Sequence, residues 1–261
     1  MSRPEQPPKA SAVASTSAKA YACEDPPPHP GDTWTRFVCI SDTHSRKFPI
    51  PPGDVLLHAG DLSSRGTLAK LKVTIEWLMT LPHPTKIIIA GNHDLCLDEN
   101  WSHGDERVPS HEIIAARTLL HSQAVQDSGI IYLQYEACTF KTTSGKEWNV
   151  FGFPGSPLYA GGAFQYPDSE ADKICACIPH DTAILLTHTP PYGILDTTRK
   201  GKHAGCKALK AQMNTLEACR LHVFGHIHEQ HGVQIAPEDG TVSVNAALYL
   251  GGGAVIVDLK N

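Results

Sequence analysis

No block of basic residues interrupts this chain, and its formal net charge is −5 with its 15 histidines neutral. A surface dedicated to nucleic acid carries a patch of Lys and Arg, so a nuclease or nucleic-acid reader is disfavoured. A small phosphorylated ligand remains open, because bound cations supply charge that the sequence count omits. No apolar run precedes Cys23, the first of eight cysteines, and no stretch reaches the length that spans a bilayer. The expectation is a cytoplasmic protein with reduced, mostly buried thiols and no membrane span. Cys175 and Cys177 form a C-x-C pair, but no second pair stands at zinc-site spacing, so they read as structural. Asn100-Trp101-Ser102 matches a glycosylation sequon that has no use without secretion. Internal repeats are absent, and nothing in the sequence sets the oligomeric state.

What is present is an apolar content of 41% over 261 residues, enough for a large core without staples. Residues 1–30 are rich in Pro, Ala and Ser and read as a disordered tail. From residue 31 to 261 the chain reads as one catalytic domain. RFVCIS (36–41), DVLLHAG (54–60) and KIIIAG (86–91) are short apolar runs closed by polar turns, the pattern of buried strands. Leu68, Leu71, Ile75 and Leu78 recur at helical intervals and predict a helix with one stripe on the sheet. Further helices are expected near 111–122 and 205–219. Strands are expected at 130–134, 137–142, 147–153, 182–188, 221–225, 232–236, 241–245 and 254–258. The segment 154–170, rich in Gly, Pro and aromatics, reads as a long loop beside a site. This order predicts an α/β layered core.

Five of the strands end in residues competent to hold metal: Asp42 and His44; Asp61; Asn92 and His93; His188; His226 and His228. Loops at the ends of a rigid sheet are where an α/β fold builds its site. D-x-H and H-x-H spacings let both side chains of a turn point toward one ion. Carboxylate, imidazole and amide together suit Mn, Fe, Zn, Co or Ni and are too nitrogen-rich for calcium. Asp61 is central enough to bridge two ions, which polarise phosphoryl oxygens and acidify a shared water.

The blocks ISDTH (40–44), GDLSSRG (60–66), GNHD (91–94), THTPP (187–191) and GHIH (225–228) resemble, in order, those of the calcineurin-like metallophosphoesterase superfamily. Within it the chain is similar to the small metallophosphoesterase-domain proteins of the brain-expressed animal type and their fungal and bacterial relatives. The resemblance implies a four-layer α-β-β-α sandwich of the metallo-dependent phosphatase kind. It implies two divalent transition-metal ions (Mn, Fe or Zn, with Mn favoured for activity) and hydrolysis of phosphate esters, diesters above monoesters, by a hydroxide between them. Asp42, His44 and His228 match the ligands of one ion, Asp61 the bridge, and Asn92, His188 and His226 the ligands of the other. Asn92 and His93 match the groups that contact substrate, with His93 protonating the leaving oxygen. The substrate class implied is a small phosphorylated molecule such as a nucleotide or cyclic nucleotide.

Two departures matter. Ser64 stands where the Ser/Thr phosphatase branch has an Asp that supports the catalytic histidine, so protein phosphatase activity is disfavoured. His226 is retained where some animal relatives carry Gly, which favours activity over a nucleotide-binding scaffold. Arg65 stands at the place of a phosphate-binding arginine. His203, beside Arg199-Lys200-Gly201-Lys202, is a candidate for contact with an anionic substrate, and Tyr159 and Phe164 for the pocket wall. His58 reads as buried support, and Asp94 as a structural residue behind the GNHD turn.

Overall fold

Strands fall where the apolar runs predict them in a computed structural model that describes residues 12–14, 18–22, 27–102 and 108–261. The first half supplies β1 (Ala12–Ala14), β2 (Ala18–Ala22), β3 (Trp34–Ile40), β4 (Val55–Ala59), β5 (Thr85–Ile89) and β6 (Ile130–Leu133). The second half supplies β7 (Glu136–Lys141), β8 (Glu147–Phe153), β9 (Ser156–Pro157), β10 (Gln165–Tyr166), β11 (Ile184–Thr187), β12 (Leu221–Phe224), β13 (Gly232–Ile235), β14 (Val242–Asn245) and β15 (Val255–Lys260). They form a seven-stranded sheet, β1-β2-β15-β3-β4-β5-β6, and a six-stranded sheet, β13-β14-β12-β11-β8-β7, with β9 and β10 paired apart.

Alternate residues of each central strand serve different cores. Phe37, Cys39, Val55, Leu57, Ile87 and Ile89 face the second sheet and meet Val150, Ile184, Leu186, Val223 and Val244. Val38, Ile40, Leu56 and Ile88 face the opposite way, toward helices α1 (Leu68–Thr80), α2 (Ser110–Leu120) and α3 (Gln123–Asp127). On the far side, Phe151, Phe153 and Leu185 pack under α4 (Ala171–Cys175) and α5 (Lys207–Met213). The result is the expected α-β-β-α sandwich. Burial on both faces explains why these strands read as unbroken apolar runs rather than as alternation.

Local chemistry sets the helix ends. Thr67 caps α1, its side chain accepting the Lys70 N–H. Leu81 turns extended at its end because it precedes Pro82. The helix expected over 205–219 is shorter, closing after Met213, where the Thr215 hydroxyl donates to the Gln212 carbonyl. Leu216 and Cys219 stay buried in the same cluster without helical backbone.

The stretch read as a disordered tail is corrected where it is described. β2 pairs antiparallel with β15, and Ala18 and Ala20 are buried in the inter-sheet core. The small Ala18 and Ala20, two apart, let this strand lie between β1 and β15 with Tyr21 as its one large ring, so composition concealed it. Arg36, buried in an ion pair with Asp258 at 2.7 Å, also donates to the carbonyls of Pro27 and Pro28. Residues 1–11, 15–17 and 23–26, with Cys23 among them, lie outside the described residues. Among the described residues no helix is long and apolar enough to cross a membrane.

Candidate metal centre

β3, β4, β5 and β6 run parallel, as do β8, β11, β12 and β14. Their C-terminal ends therefore share one edge of the sandwich, and the five motif turns meet there. The turns are laced by backbone bonds: Asp42 N–H to Gly60 O (2.9 Å), His44 N–H to Asp61 O (3.0 Å) and Gly225 N–H to His188 O (3.1 Å). Asp94 lies behind them, fully buried, and accepts the N–H groups of Leu62, Ser63 and Gly91. This is the structural role expected of it. Asp42, His44, Asp61 and His226 all have positive φ, between 46° and 66°. Side chains disfavour that region, and such strain persists where the surroundings over-determine it. Gly225 has no substitute here, since a Cβ would collide with the Asp42 carboxylate and the Ser41 hydroxyl.

Two groups of donors result. One atom each from Asp42, His44, Asp61 and His228 lies within 4.8 Å of the others, enough to hold a metal ion. Within that group His228 Nε2 is 2.9 Å from Asp42 Oδ1, and His44 Nε2 is 3.6 Å from Asp61 Oδ2. Beside it, Asn92 Oδ1 is 2.8 Å from both His188 Nε2 and His226 Nδ1, and His188 Nε2 is 3.4 Å from Asp61 Oδ1. His188 is oriented by its other nitrogen, 3.0 Å from the Ala59 carbonyl. Donors about 2.1 Å from one ion stand about 3–4 Å apart, so the first group has the spacing of ligands that share a cation.

The electrostatics agree. Burial pushes His44 down to about 4 and His226 down to about 3, and lowers His188, so these rings are neutral at pH 7, the form that binds metal. Burial, with the Asp42 charge beside it, pushes Asp61 well above the carboxylate range. Burial also opposes ionisation of Asp42, but the His228 hydrogen bond and the imidazoles around it outweigh that and hold its carboxyl low. Two buried carboxyls this close resist ionising together, a penalty that a cation between them would remove. The residues present fit divalent metal on this ground.

The structure gathers every predicted ligand: Asp42, His44, Asp61, Asn92, His188, His226 and His228. His93 stands at the rim, exposed, with its ring 4.7 Å from that of His44 and its N–H donated to Asp61 Oδ1 (2.8 Å). Arg65 is exposed on the turn after Asp61 and makes no hydrogen bond or ion pair among the described residues. His203 is exposed on a hairpin, its Nδ1 2.7 Å from Asp196. That hairpin is tied to the metal-ligand turn by Asn245, whose Nδ2 donates to the carbonyls of Leu195 and Ile227. Phe164 packs in the core rather than lining a pocket, being 6% exposed with its N–H on Asp98. Tyr159 is 77% exposed. His58 is buried support, as expected, meeting Thr43 Oγ1 at 2.9 Å. Tyr249 has no motif to announce it, yet its ring lies 4.7 Å from His44 and 5.1 Å from His228. A lone aromatic in the expected loop between two strands carried no sequence signal.

A family model described as calcineurin-like phosphoesterase matches residues 35–230, three-quarters of the chain. The chain belongs to the calcineurin-like phosphoesterase family. Among its relatives, the human metallophosphoesterase domain-containing protein 1 is 39% identical over 240 residues, covering 86% of this chain and 70% of that protein. A Caenorhabditis elegans UPF0046 protein is 31% identical, covering 85% of this chain and 72% of its own. A probable rhamnogalacturonate lyase C of Emericella nidulans is 39% identical over 207 residues, and the chain spans 18% of that longer protein. One solved crystal structure superposes at a TM-score of 0.52 and 16% identity over 81% of this chain and 90% of its own, which shows the fold alone. The chain is thus a phosphoesterase-family protein, related to small metallophosphoesterase-domain proteins, with a metal-binding cluster consistent with a bimetal hydrolytic site.

Proposed function

We propose that this protein hydrolyses phosphate esters, diesters in preference to monoesters, with two divalent transition-metal ions. The observation that carries this reading is the place of Asp61, one carboxylate oxygen toward His44 and the other toward His188. It is the shared member of two ligand sets: Asp42, His44, Asp61 and His228; and Asp61, Asn92, His188 and His226. When bound, the ions supply Lewis acidity toward a phosphoryl oxygen and lower the pKa of water. Manganese is the ion favoured for activity, with iron and zinc also suited to these donors.

The chain's own residues do the rest. Asp61 takes the His93 N–H, which fixes the turn while leaving the His93 ring at the exposed rim. From there the imidazole contacts the phosphoryl group and donates a proton to the departing oxygen. The Asn92 amide, held between His188 and His226, keeps its nitrogen end for the phosphoryl oxygens. Arg65 and His203 serve as outer contacts for an anionic substrate. The diester preference rests on family relationship, as does the choice of a small substrate such as a nucleotide or cyclic nucleotide. The cytoplasmic setting rests on the sequence.

The test is release of p-nitrophenol from bis(p-nitrophenyl) phosphate and from p-nitrophenyl phosphate, with Mn, Fe or Zn supplied in turn. Metal-dependent turnover, faster on the diester and abolished by a chelator, is expected. Nucleotide binding without turnover under every metal would make the protein a scaffold instead.

A further inference from the structure

The geometry points to Tyr249 as a specificity-determining residue, its ring the wall against which a flat aromatic ester substituent packs when the phosphoryl group sits at the metal centre. This rests on the phosphoryl reading above. Four rings define the face of the first ligand set. His44 is central, with His93 at 4.7 Å, Tyr249 at 4.7 Å and His228 at 5.4 Å between centroids. His93 and Tyr249 thus flank the same ligand, and both reach solvent; Tyr249 is 36% exposed. A phosphoryl group within reach of His93 places an ester substituent beside Tyr249.

The ring is held for that task. The Arg46 guanidinium lies over it at 4.2 Å and donates to the Tyr249 carbonyl at 3.3 Å. A large ring fixed in advance loses little rotamer entropy on binding, which favours its use as a contact surface. The exposed Leu250 follows directly, which extends the apolar rim. A bland role also exists: the ring could only seal the side of His44 and His228. Sealing would act on metal retention and would not distinguish one substituent from another.

Phenylphosphonate and methylphosphonate carry the same anionic head on a carbon–phosphorus bond that is not hydrolysed, so affinity is read without turnover. Calorimetry on the Mn-loaded protein should show phenylphosphonate binding about tenfold more tightly, the lower range of aromatic stacking. Tyr249→Ala should remove that difference while keeping its two Mn ions and its affinity for methylphosphonate. Tyr249→Phe should keep the difference, since the ring and not the hydroxyl carries it. The inference is overturned if Tyr249→Ala weakens both phosphonates equally, or if Tyr249→Phe behaves like Tyr249→Ala, which would make the hydroxyl the recognition group. Equal wild-type affinity for the two would overturn it while leaving the phosphoryl reading intact. Binding of neither would sink both.

Discussion

Asp42 and His44 reach the first ligand set from backbone at φ 53° and 46°, whereas His188 reaches the second from the regular end of β11, steadied by the Ala59 carbonyl. The first set holds two carboxylates, Asp42 and the shared Asp61, and opens toward Tyr249. The second adds to Asp61 only neutral donors, an amide and two imidazoles. On the proposed two-ion reading, a divalent cation held partly by ligand charge binds the first set more tightly, and the second set empties first. Strained backbone serves both sets, since His226 of the second stands at φ 66° and a Cβ at Gly60 or Gly91 would collide with His188 as one at Gly225 would with Asp42, so ligand charge is what separates them.

Removing the shared member tests this contrast most severely. Asp61→Ala should cost both ions their common ligand, with turnover lost below detection and metal analysis giving at most one ion per chain. Retention of two ions would show that the sets are independent. His226→Ala should empty the second set selectively: one ion stays, and excess Mn partly restores turnover. Loss of both ions together would erase the proposed difference in affinity.

His93→Ala sharpens the contrast between holding metal and handling the substrate. Both ions should remain while turnover falls roughly 10²–10⁴-fold, the scale of general acid–base assistance. The loss should be greater for a diester with a poor leaving group than for one with a good one. Equal losses would make His93 a phosphate-positioning residue.

The opposite end of the molecule should respond in stability alone. A chain starting at Gly31 loses β1 and β2, the latter paired with β15, and two carbonyl acceptors of the buried Arg36. If that costs a few kcal/mol, Tm falls by about 5–10 °C, with metal content unchanged. An unaltered Tm would mean that β2 contributes nothing to the sheet.

A further effect is a pH slope in stability. His58 and His222 are fully buried, and burial lowers each to about 3, so both are neutral when folded. The unfolded chain takes up these protons near pH 6.5 and the folded chain resists them until about 3. The stability is therefore fully present above pH 6.5 and falls as pH drops, by about 1.4 kcal/mol per pH unit for each histidine. Denaturant titrations from pH 7 to 5 should show this, with a shallower slope in His222→Leu.

The ligands were legible because each closes an apolar strand in D-x-H, GNHD or H-x-H spacing, and a parallel sheet must place such ends together. The strands at 36–40, 55–59 and 86–89 were legible because burial on both faces forces unbroken apolar runs. β2 was not, since AKAYA puts only the small Ala18 and Ala20 into the inter-sheet core and the strand is held by pairing with β1 and β15. The role of Phe164 was open between pocket and core, because an aromatic in a Gly-rich loop looks the same in either. The sequence by itself determined the donor set, the layered fold and the chemistry that these donors can support. Only the tertiary structure brought Asp42, His44, Asp61 and His228 into one cluster, turned one oxygen of Asp61 toward His44 and the other toward His188, and set Tyr249 beside them from a turn more than 20 residues beyond His228. Those facts depend on the register of two sheets meeting at one edge, and register is a property of packing between distant segments rather than of any local pattern.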